Sequence, residues 1–384
     1  MSAIMQAPSG VTAITCSSGN SYTVNYLGQI SANNADIGFL IGAGWTSISG
    51  PANFIATPRN LIDGGDFSVN PFQRNIPGLA SGGVISSAIS NTLTYFADRF
   101  FVVGASTASI LASVVADTSI AGFTQDLKIS RSNGTSDINA IKFGQVIESA
   151  RSAVAQGQQV TLSVYAKVGA NYSGGALSAL VMSGTGANQS ASAMAVSSSW
   201  TGQASPVIAS QTLTTTMNRY SFTGLVAAGV TQLGVLFSWT PTGTAAGTDD
   251  AVYIGGVQLE IGGLSVFEHM SPPLVVAACQ RFAYVVAEPA SGAAVTSGMN
   301  TSSSAQLFEI DPPVPLFKTP AVSVAAGTWK TNQAGTATST TISAASSQTA
   351  GAIGILGSST GTAGQATMLQ GGGGSGWILA NADF

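Results

Sequence analysis

The apolar residues of this chain occur in short runs separated by Gly, Ser, Thr and Asn, and this spacing constrains the fold more than any other feature. Runs of this length between turn residues predict many short strands, as in a β-sandwich or barrel. Over residues 160–167, Val160, Leu162, Val164 and Ala166 alternate with larger or more polar side chains, so one strand face should be buried. Residues 95–103, 140–147, 177–182, 219–222 and 233–239 show the same pattern less clearly.

A change of alternation predicts a β-bulge further along the chain. Val252 and Ile254 share one parity, whereas Val257 and Leu259 share the other, and two glycines lie between them. A bulge inserts one residue and restores the inward direction of the apolar side chains.

Composition excludes several classes of protein. Charged residues make up 7% of the chain, and its mean hydropathy is +0.34. No apolar stretch reaches the roughly 20 residues of a membrane-spanning helix, and no secretory signal follows Met1. The 12 Lys and Arg residues are scattered, and the net charge is -4, so we expect no nucleic-acid partner.

Three regions are predicted along the 384 residues. Residues 1–58 form an attachment segment, in which Asn33–Asp36 resembles a helix N-cap and predicts one short helix. Residues 59–287 form the β-sandwich. Residues 288–384 form a small second β domain, with strands near 305–310, 321–324, 338–342, 352–356 and 377–380 and a flexible turn at Gly371–Gly374.

Residue types common in catalytic and metal sites are few. Cys16 and Cys279 are predicted to be buried thiols, with a link between them as the alternative. His269 is the single histidine and has no recognisable catalytic triad around it, so we expect a structural or solvated role. Calcium is the one metal that the sequence leaves open. The candidate ligands are two acidic pairs, Asp249 with Asp250 and Asp63 with Asp66.

Charged residues on the predicted strands allow two interpretations. Asp98 and Arg99 lie within an aromatic strand, and Glu260 and Glu268 flank a pair of glycines. A carboxylate pair for glycosidic cleavage is one reading, and it requires a fixed separation across a cleft. We favour the other, in which Asp98, Arg99 and Glu260 form structural ion pairs, because charges inside a sandwich need partners.

Several segments in order resemble a recurrent domain of bacteriophage tail-fibre and appendage proteins. They are residues 60–67, 72–74, 95–100, 160–167, 257–262, 267–268 and 279–282. Gly64 stands where that family usually has Asn, Phe72 replaces a usual Trp, and the acidic residue before Cys279 is missing. The resemblance implies a jelly-roll sandwich similar to carbohydrate-binding modules.

The same resemblance implies a function. It predicts a non-enzymatic structural subunit of a virion fibre or appendage, located on the virion, with residues 1–58 contacting other virion proteins. It also implies a homotrimer and contact with host surface glycans. A dedicated receptor-binding protein is the alternative, and a polysaccharide depolymerase is less favoured.

Aromatic rings are the candidate sugar contacts, because an exposed ring stacks on the apolar C–H groups of a sugar. Tyr172 lies in a predicted loop beside Asn171 and Ser173, and Trp200 lies between predicted strands. For most of the other tryptophans we expect core or subunit packing.

Overall fold

The computed structural model describes residues 2–24, 29–33, 36, 40, 43, 45–49, 59–68, 85–88, 93–104, 109–325, 327–345 and 348–383. Contacts divide the chain into two compact units, Met1–Pro58 and Arg59–Phe384. Within the described ranges strands far outnumber helices, which confirms the predicted all-β class. No helix there is long and apolar enough to cross a membrane. The motif segment 72–74 and most of the helix predicted after Asn33–Asp36 lie outside these ranges.

The first unit is a small β structure. Strand β1 (Ser2–Gln6) pairs with β4 (Gln29–Asn33) on one side and β5 (Thr46–Ser49) on the other, and β2 (Ala13–Thr15) pairs with β3 (Ser21–Thr23). Its buried apolar residues are Met5, Cys16, Ile30, Ala32, Leu40 and Trp45. The Leu40 N–H donates to the Asp36 carbonyl at 3.0 Å, one helical bond at the place where a helix was predicted.

The second unit begins with two six-stranded sheets that face each other. Their strands are β6 (Ile85–Ala88), β7 (Thr94–Ala97), β8 (Phe100–Gly104), β9 (Ser109–Ala116), β10 (Gln125–Arg131), β11 (Ile141–Val146), β12 (Gln159–Val168), β13 (Leu177–Gly184), β14 (Ala204–Gln211), β15 (Asn218–Leu225), β16 (Gln232–Trp239) and β17 (Ala251–Ile261). The first sheet has the order β15-β12-β17-β10-β9-β6, and the second has the order β14-β13-β16-β11-β8-β7.

The strand order is that of a jelly roll. Strands β10, β17, β12 and β15 are neighbours in the first sheet, and β11, β16, β13 and β14 take the equivalent places in the second. Successive strands of β10–β17 therefore divide between two antiparallel sheets, as in a double-sheet jelly roll. The predicted jelly-roll-like β-sandwich is confirmed.

The predicted alternation and bulge are both present. Val160, Leu162, Val164 and Ala166 of β12 are all at most 1% exposed and pack between the sheets. The pairing of β12 with β17 shifts register at the predicted place, where Gly256 has a φ of 53°. The bulge keeps the apolar residues on both sides of it in the core.

The outer faces of the two sheets differ. A second apolar cluster covers the second sheet, built from Trp200, helix α2 (Ala191–Ala195) and residues of β8, β11, β13 and β16. On the first sheet, Phe123 packs over Tyr165 of β12 near the bulge, and the outer face beyond it carries Lys128, Tyr253 and Lys167. Two further helices, α1 (Ser149–Ser152) and α3 (Pro272–Gln280), flank the sandwich strands in sequence.

The C-terminal region forms two more antiparallel sheets. The strands are β18 (Ala283–Ala287), β19 (Ala294–Asn300), β20 (Gln306–Ile310), β21 (Ala321–Ala325), β22 (Lys330–Gln333), β23 (Thr336–Ser339), β24 (Thr341–Ala344), β25 (Ile353–Ser358), β26 (Ala366–Gln370) and β27 (Trp377–Asn381). Their orders are β18-β27-β21 and β23-β22-β26-β19-β20-β25-β24. The single strand predicted at 338–342 is two strands, since β23 pairs with β22 and β24 pairs with β25.

A buried carboxylate orders the glycine-rich segment near the C-terminus. Glu288 accepts hydrogen bonds from the Thr328 hydroxyl at 2.7 Å and from the backbone amides of Gly372, Gly374 and Gly376 at 2.9 to 3.1 Å. Burial alone would raise the pKa of Glu288, but these donors lower it to about 2. The amides of Gly372 and Gly374, within the turn predicted at Gly371–Gly374, and that of Gly376 beyond it thus bind one anion.

Arg99 connects the sandwich to the last residues of the chain. Its guanidinium lies 3.3 Å from the Asp63 carboxylate and 2.9 Å from that of Asp383, and it donates to the Val146 carbonyl at 2.7 Å. The guanidinium carbon lies 3.4 Å from the centre of the Phe282 ring. Arg99 is 2% exposed and has a φ of 68°, a strained region for a side chain of this size, so its partners hold the backbone in place.

Arg99 forms a buried ion pair as predicted, but its partners are not the predicted Asp98 and Glu260. Arg99 is paired with Asp63 and Asp383, whereas Glu260 accepts hydrogen bonds from Ser265 and Gln258. Asp98 is buried beside Arg99 in the turn between β7 and β8. Burial alone would raise the pKa of Asp63, but the Arg151 and Arg99 cations hold it below its ordinary value.

Asn60 and Gly64, in the motif at residues 60–67, also have structural roles. The Asn60 side chain donates to the Val257 carbonyl and accepts from the Leu259 N–H, and the Asn60 N–H donates to Glu268. These bonds join residues 60–68 to β17 beside its bulge. Gly64 has a φ of 62°, a conformation that Gly and Asn both adopt, so its departure from the family pattern is conservative.

The Arg99 network predicts a large loss of stability on removal of its cation. In Arg99→Met, the buried carboxylates of Asp63 and Asp383 lose a partner, and we expect the free energy of unfolding to fall by about 3–5 kcal/mol. Denaturant unfolding at neutral pH measures this. Arg59→Met is the control for loss of one guanidinium: Arg59 is exposed, and its loss should change the free energy of unfolding by about 0.5 kcal/mol or less. Equal losses in the two variants would contradict the role given to Arg99.

Candidate functional site

A cleft of about 470 Å³ opens on the outer face of the first sheet. It lies where the ends of β9, β12 and β17 meet the loops that precede β15 and β17. The lining residues are Val115, Ala116, Asp117, Lys128, Lys167, Val168, Ala170, Thr215, Asp249 and Tyr253. This volume is within the range of about 300–1,000 Å³ that is usual for small-ligand sites.

Three side chains from adjacent strands form a row along one side of the cleft. Lys128 of β10 is paired in register with Tyr253 of β17, which is paired in turn with Lys167 of β12. Side chains at paired positions stand on the same face of a sheet. The Nζ atoms of Lys128 and Lys167 lie 5.1 and 5.2 Å from the centre of the Tyr253 ring, within cation–π distance.

Each lysine of the row has an acidic partner from a loop. Lys128 Nζ lies 2.9 Å from Asp249 Oδ1, which also accepts a hydrogen bond from the Tyr253 hydroxyl at 2.6 Å. Lys167 forms an ion pair with Asp117. The row and its acidic partners therefore form two Lys–Asp pairs, one on each side of Tyr253.

Both acidic partners remain ionised over a wide pH range. Burial alone would raise the pKa of Asp249, but hydrogen bonds from Tyr253 and Lys128 hold it below its ordinary value. The pKa of Asp117 is likewise lowered, because the bonds from Lys167 and Ser119 outweigh its burial. Neither carboxyl group is a proton donor near neutral pH.

A third carboxyl group, that of Asp126, lies two residues before Lys128 on the same strand face. Asp126 of β10 is 1% exposed. Burial, followed by the nearby Asp117 carboxylate, raises the pKa of Asp126 to about 7. Because two adjacent carboxylates repel each other, the pair is most stable when Asp126 keeps its proton and donates it to Asp117.

The two predicted sugar-contact residues are not among the lining residues of the cleft. Trp200 is 3% exposed, packs in the cluster over the second sheet and donates its indole N–H to the Ser190 carbonyl at 2.9 Å. Tyr172 is half-buried: its ring centre lies 5.1 Å from that of Trp239, and its hydroxyl donates to the Gly175 carbonyl. Both aromatic residues serve packing in this structure.

Three of the four predicted calcium ligands, Asp249, Asp250 and Asp63, form ion pairs with lysine or arginine side chains of the protein. Asp250 is fully buried and binds the Arg131 guanidinium, with Nε at 2.8 Å, and Asp249 binds Lys128. Asp63 belongs to the Arg99 network, and the Asp66 carboxylate lies 3.3 Å from His269 Nδ1. Across the described ranges, no three His, Cys, Asp or Glu residues are placed to bind a metal ion together.

Cys16, Cys279 and His269 lie outside the cleft. The two cysteines are buried, at 4% and 1% exposure. The His269 ring packs against Phe123 and Phe267, with centre distances of 5.0 and 4.9 Å.

Of the cleft residues, sequence reasoning singled out Asp249 alone, and as a calcium ligand. Lys167 ends the alternating run 160–167 on its outward parity, but nothing in the sequence connects it with Lys128 and Tyr253. The one sequence signal for the cleft is that Lys167 and Tyr253 each have the outward parity of a predicted strand. Pairing between β10, β17 and β12 was needed to make a row of them.

Comparison with known proteins gives limited likenesses. No family model and no curated protein matches the chain. A tailspike protein 4 domain from bacteriophage CBA120, described as enzymatically active, shares 13% identity and a TM-score of 0.30, and the match covers 53% of this chain but 22% of that one. A family 4 carbohydrate-binding module shares 16% identity and a TM-score of 0.27 over 52% of this chain and 99% of the module.

A carbohydrate-binding module of the β-sandwich superfamily, described as having promiscuous specificity, shares 9% identity. Its TM-score is 0.31, over 67% of this chain and 84% of the module. These scores are too low for the likenesses to bear on function. The β-sandwich assignment rests on the pairing of the strands themselves.

The raised pKa of Asp126 predicts a pH dependence of stability. A carboxyl group whose pKa rises from 3.8 to about 7 on folding stabilises the folded state fully below its unfolded pKa, and this contribution is lost as pH rises to about 7. Asp126→Asn removes the ionisation and can still donate to Asp117. We therefore expect its melting temperature to fall less than that of the wild type between about pH 4 and 8.

Asp311→Asn, at an exposed position outside the cleft, is the control for loss of one carboxylate and should follow the wild type. Parallel pH profiles for all three proteins would show that Asp126 does not keep its proton.

Proposed function

We propose that this chain is a structural subunit of a bacteriophage appendage, and that the cleft on its first sheet binds a glycan of the host surface. The motifs that resemble phage appendage domains support the first part, since several of them meet around Arg99 and β17 in one fold. The observation that carries the second part is the row of Lys128, Tyr253 and Lys167 with its two acidic partners.

The chemistry of the row suits sugar hydroxyl groups. A hydroxyl group both donates and accepts hydrogen bonds, a lysine only donates, and an ionised aspartate only accepts. Each Lys–Asp pair therefore presents both complements side by side, in a cleft with room for a small ligand. Hydrogen bonds to charged groups are among the stronger polar contacts.

We propose binding without hydrolysis. Glycosidic cleavage requires one carboxylic acid that gives a proton to the leaving oxygen and a second carboxylate across the bond. Lys167 and Lys128 keep Asp117 and Asp249 ionised. Asp126 keeps a proton, but at 1% exposure it is buried away from a ligand in the cleft.

Assembly on the virion is the remaining part of the proposal. Residues 1–58 would contact other virion proteins, and the resemblance to appendage domains implies a homotrimer. The described structure offers one surface suited to a second copy of the chain. Met299, Leu307 and Leu356 form a cross-strand row on the seven-stranded sheet, with exposures of 50%, 40% and 39%, and Met368 lies beside them at 38%.

This apolar row carries little charge that would direct it to another partner. Among the exposed residues of β19, β20, β24, β25 and β26, Glu309 is the only charged one. Depletion of charge and enrichment in Met are features of interface cores, and exposed apolar patches mark interaction sites. A copy of the same chain presents the same face, on which these strands carry the single charge of Glu309.

Loss of one cleft donor should weaken glycan binding. Lys167→Met and Tyr253→Phe each remove a polar contact of the row, and for Lys167→Met we expect a loss of about 10- to 150-fold in affinity. A glycan array of bacterial surface polysaccharides identifies the ligand, and calorimetry with the best binder measures the loss. Lys330→Met, on β22 of the C-terminal region, is the matched control and should bind as the wild type does. An unchanged affinity in both cleft variants would place the glycan elsewhere.

The apolar row predicts self-association. The wild type should be oligomeric by light scattering after size-exclusion chromatography, and Leu307→Glu should shift it towards monomer by placing a charge in the interface. Ile208→Glu is the control, since Ile208 is 78% exposed on β14 of the sandwich. A monomeric wild type at high concentration, or an equal effect of Ile208→Glu, would count against this surface.

A further inference from the structure

The charges of the cleft compensate one another on both sides of Tyr253. Lys128 lies 2.9 Å from Asp249, and Lys167 is paired with Asp117. These four residues and Tyr253 are the titratable groups among the lining residues, and their formal charges cancel. The cleft is therefore polar and locally neutral.

A neutral but polar cleft disfavours ionic ligands. A carboxylate or phosphate that approached either lysine would meet the aspartate already bound to it, and like charges at close range repel. A cation would meet a lysine beside each aspartate in the same way. An uncharged ligand rich in hydroxyl groups can instead donate to an aspartate and accept from the adjacent lysine.

The two pairs are separate places of contact. The Tyr253 ring lies between them, with each Nζ slightly more than 5 Å from its centre. A ligand that uses both pairs must carry hydroxyl groups on both sides of this ring. Neighbouring units of one oligosaccharide meet that requirement.

We infer that the cleft selects an uncharged oligosaccharide, held through hydroxyl groups on neighbouring sugar units, over the same oligosaccharide carrying carboxylates. This selectivity rests on the proposed glycan-binding function of the same cleft. It assigns the charge class of the ligand, and it gives each Lys–Asp pair a role in excluding acidic sugars.

Matched sugars test the selectivity. The full chain is titrated calorimetrically with cellohexaose, maltohexaose and laminarihexaose, each beside its counterpart oxidised to the uronate at C6, together with any polysaccharide identified on the array. We expect at least one neutral member to bind about tenfold or more tightly than its uronate. The affinity for that neutral member should change little between about 0.01 and 1 M salt, because no net charge is neutralised.

Asp249→Asn exposes the charge of Lys128 and gives a sharper readout. Its ratio of neutral to uronate affinity should fall severalfold through a gain in uronate binding, whereas Asp311→Asn should keep the wild-type ratio. If Asp249→Asn does not fold, Asp117→Asn tests the same point at the other pair.

The outcomes separate the two claims. A wild type that prefers the uronate, or an Asp249→Asn variant with an unchanged ratio, overturns the selectivity while glycan binding stands. A wild type that binds no sugar of either series and no polysaccharide on the array overturns the proposed function and the selectivity with it.

Discussion

The buried guanidinium of Arg99 is the contact on which the arrangement of the second unit depends. It binds Asp63 of residues 60–68, Asp383 near the end of the chain, and the Val146 carbonyl of β11. It also stacks on the Phe282 ring. A planar cation with several fixed donors can satisfy partners in different directions at once. Removing a charge from such a group is costly because the remaining charges stay buried. The motifs that resemble phage appendage domains thus have an architectural explanation.

The cleft lies on the first sheet because the outer faces of the two sheets carry different kinds of side chains. The outer face of the second sheet is closed by α2, Trp200 and the apolar residues beneath them. The first sheet keeps lysines, tyrosines and aspartates on its outer face, where apolar cover would bury charge. The Lys–Asp pairs reduce the cost of partly burying these groups in the cleft. A polar, neutral surface on a rigid sheet is the physical basis of the proposed glycan contact.

Local patterns of the sequence were sufficient for the fold class but not for the site. The alternation of Val160, Leu162 and Val164 predicts a half-buried strand, and the glycines before Val257 predict the bulge, because both are properties of neighbouring residues. The need of Arg99 for a buried acid was also predictable, but one of its partners lies 284 residues away in sequence. The cleft row depends on the register of three strands, which a single sequence does not contain. Trp200 was misjudged because burial by a short helix leaves no periodic signal.

The central claim is the proposal that this chain contacts a glycan at the Lys128–Tyr253–Lys167 row. A crystal structure of the full chain with the oligosaccharide that it binds most tightly tests this most directly. We predict sugar density over Tyr253, with hydroxyl groups within hydrogen-bond distance of Lys128, Lys167 and the carboxylates of Asp117 and Asp249. Sugar density at another surface, with the cleft filled by solvent alone, would contradict the account.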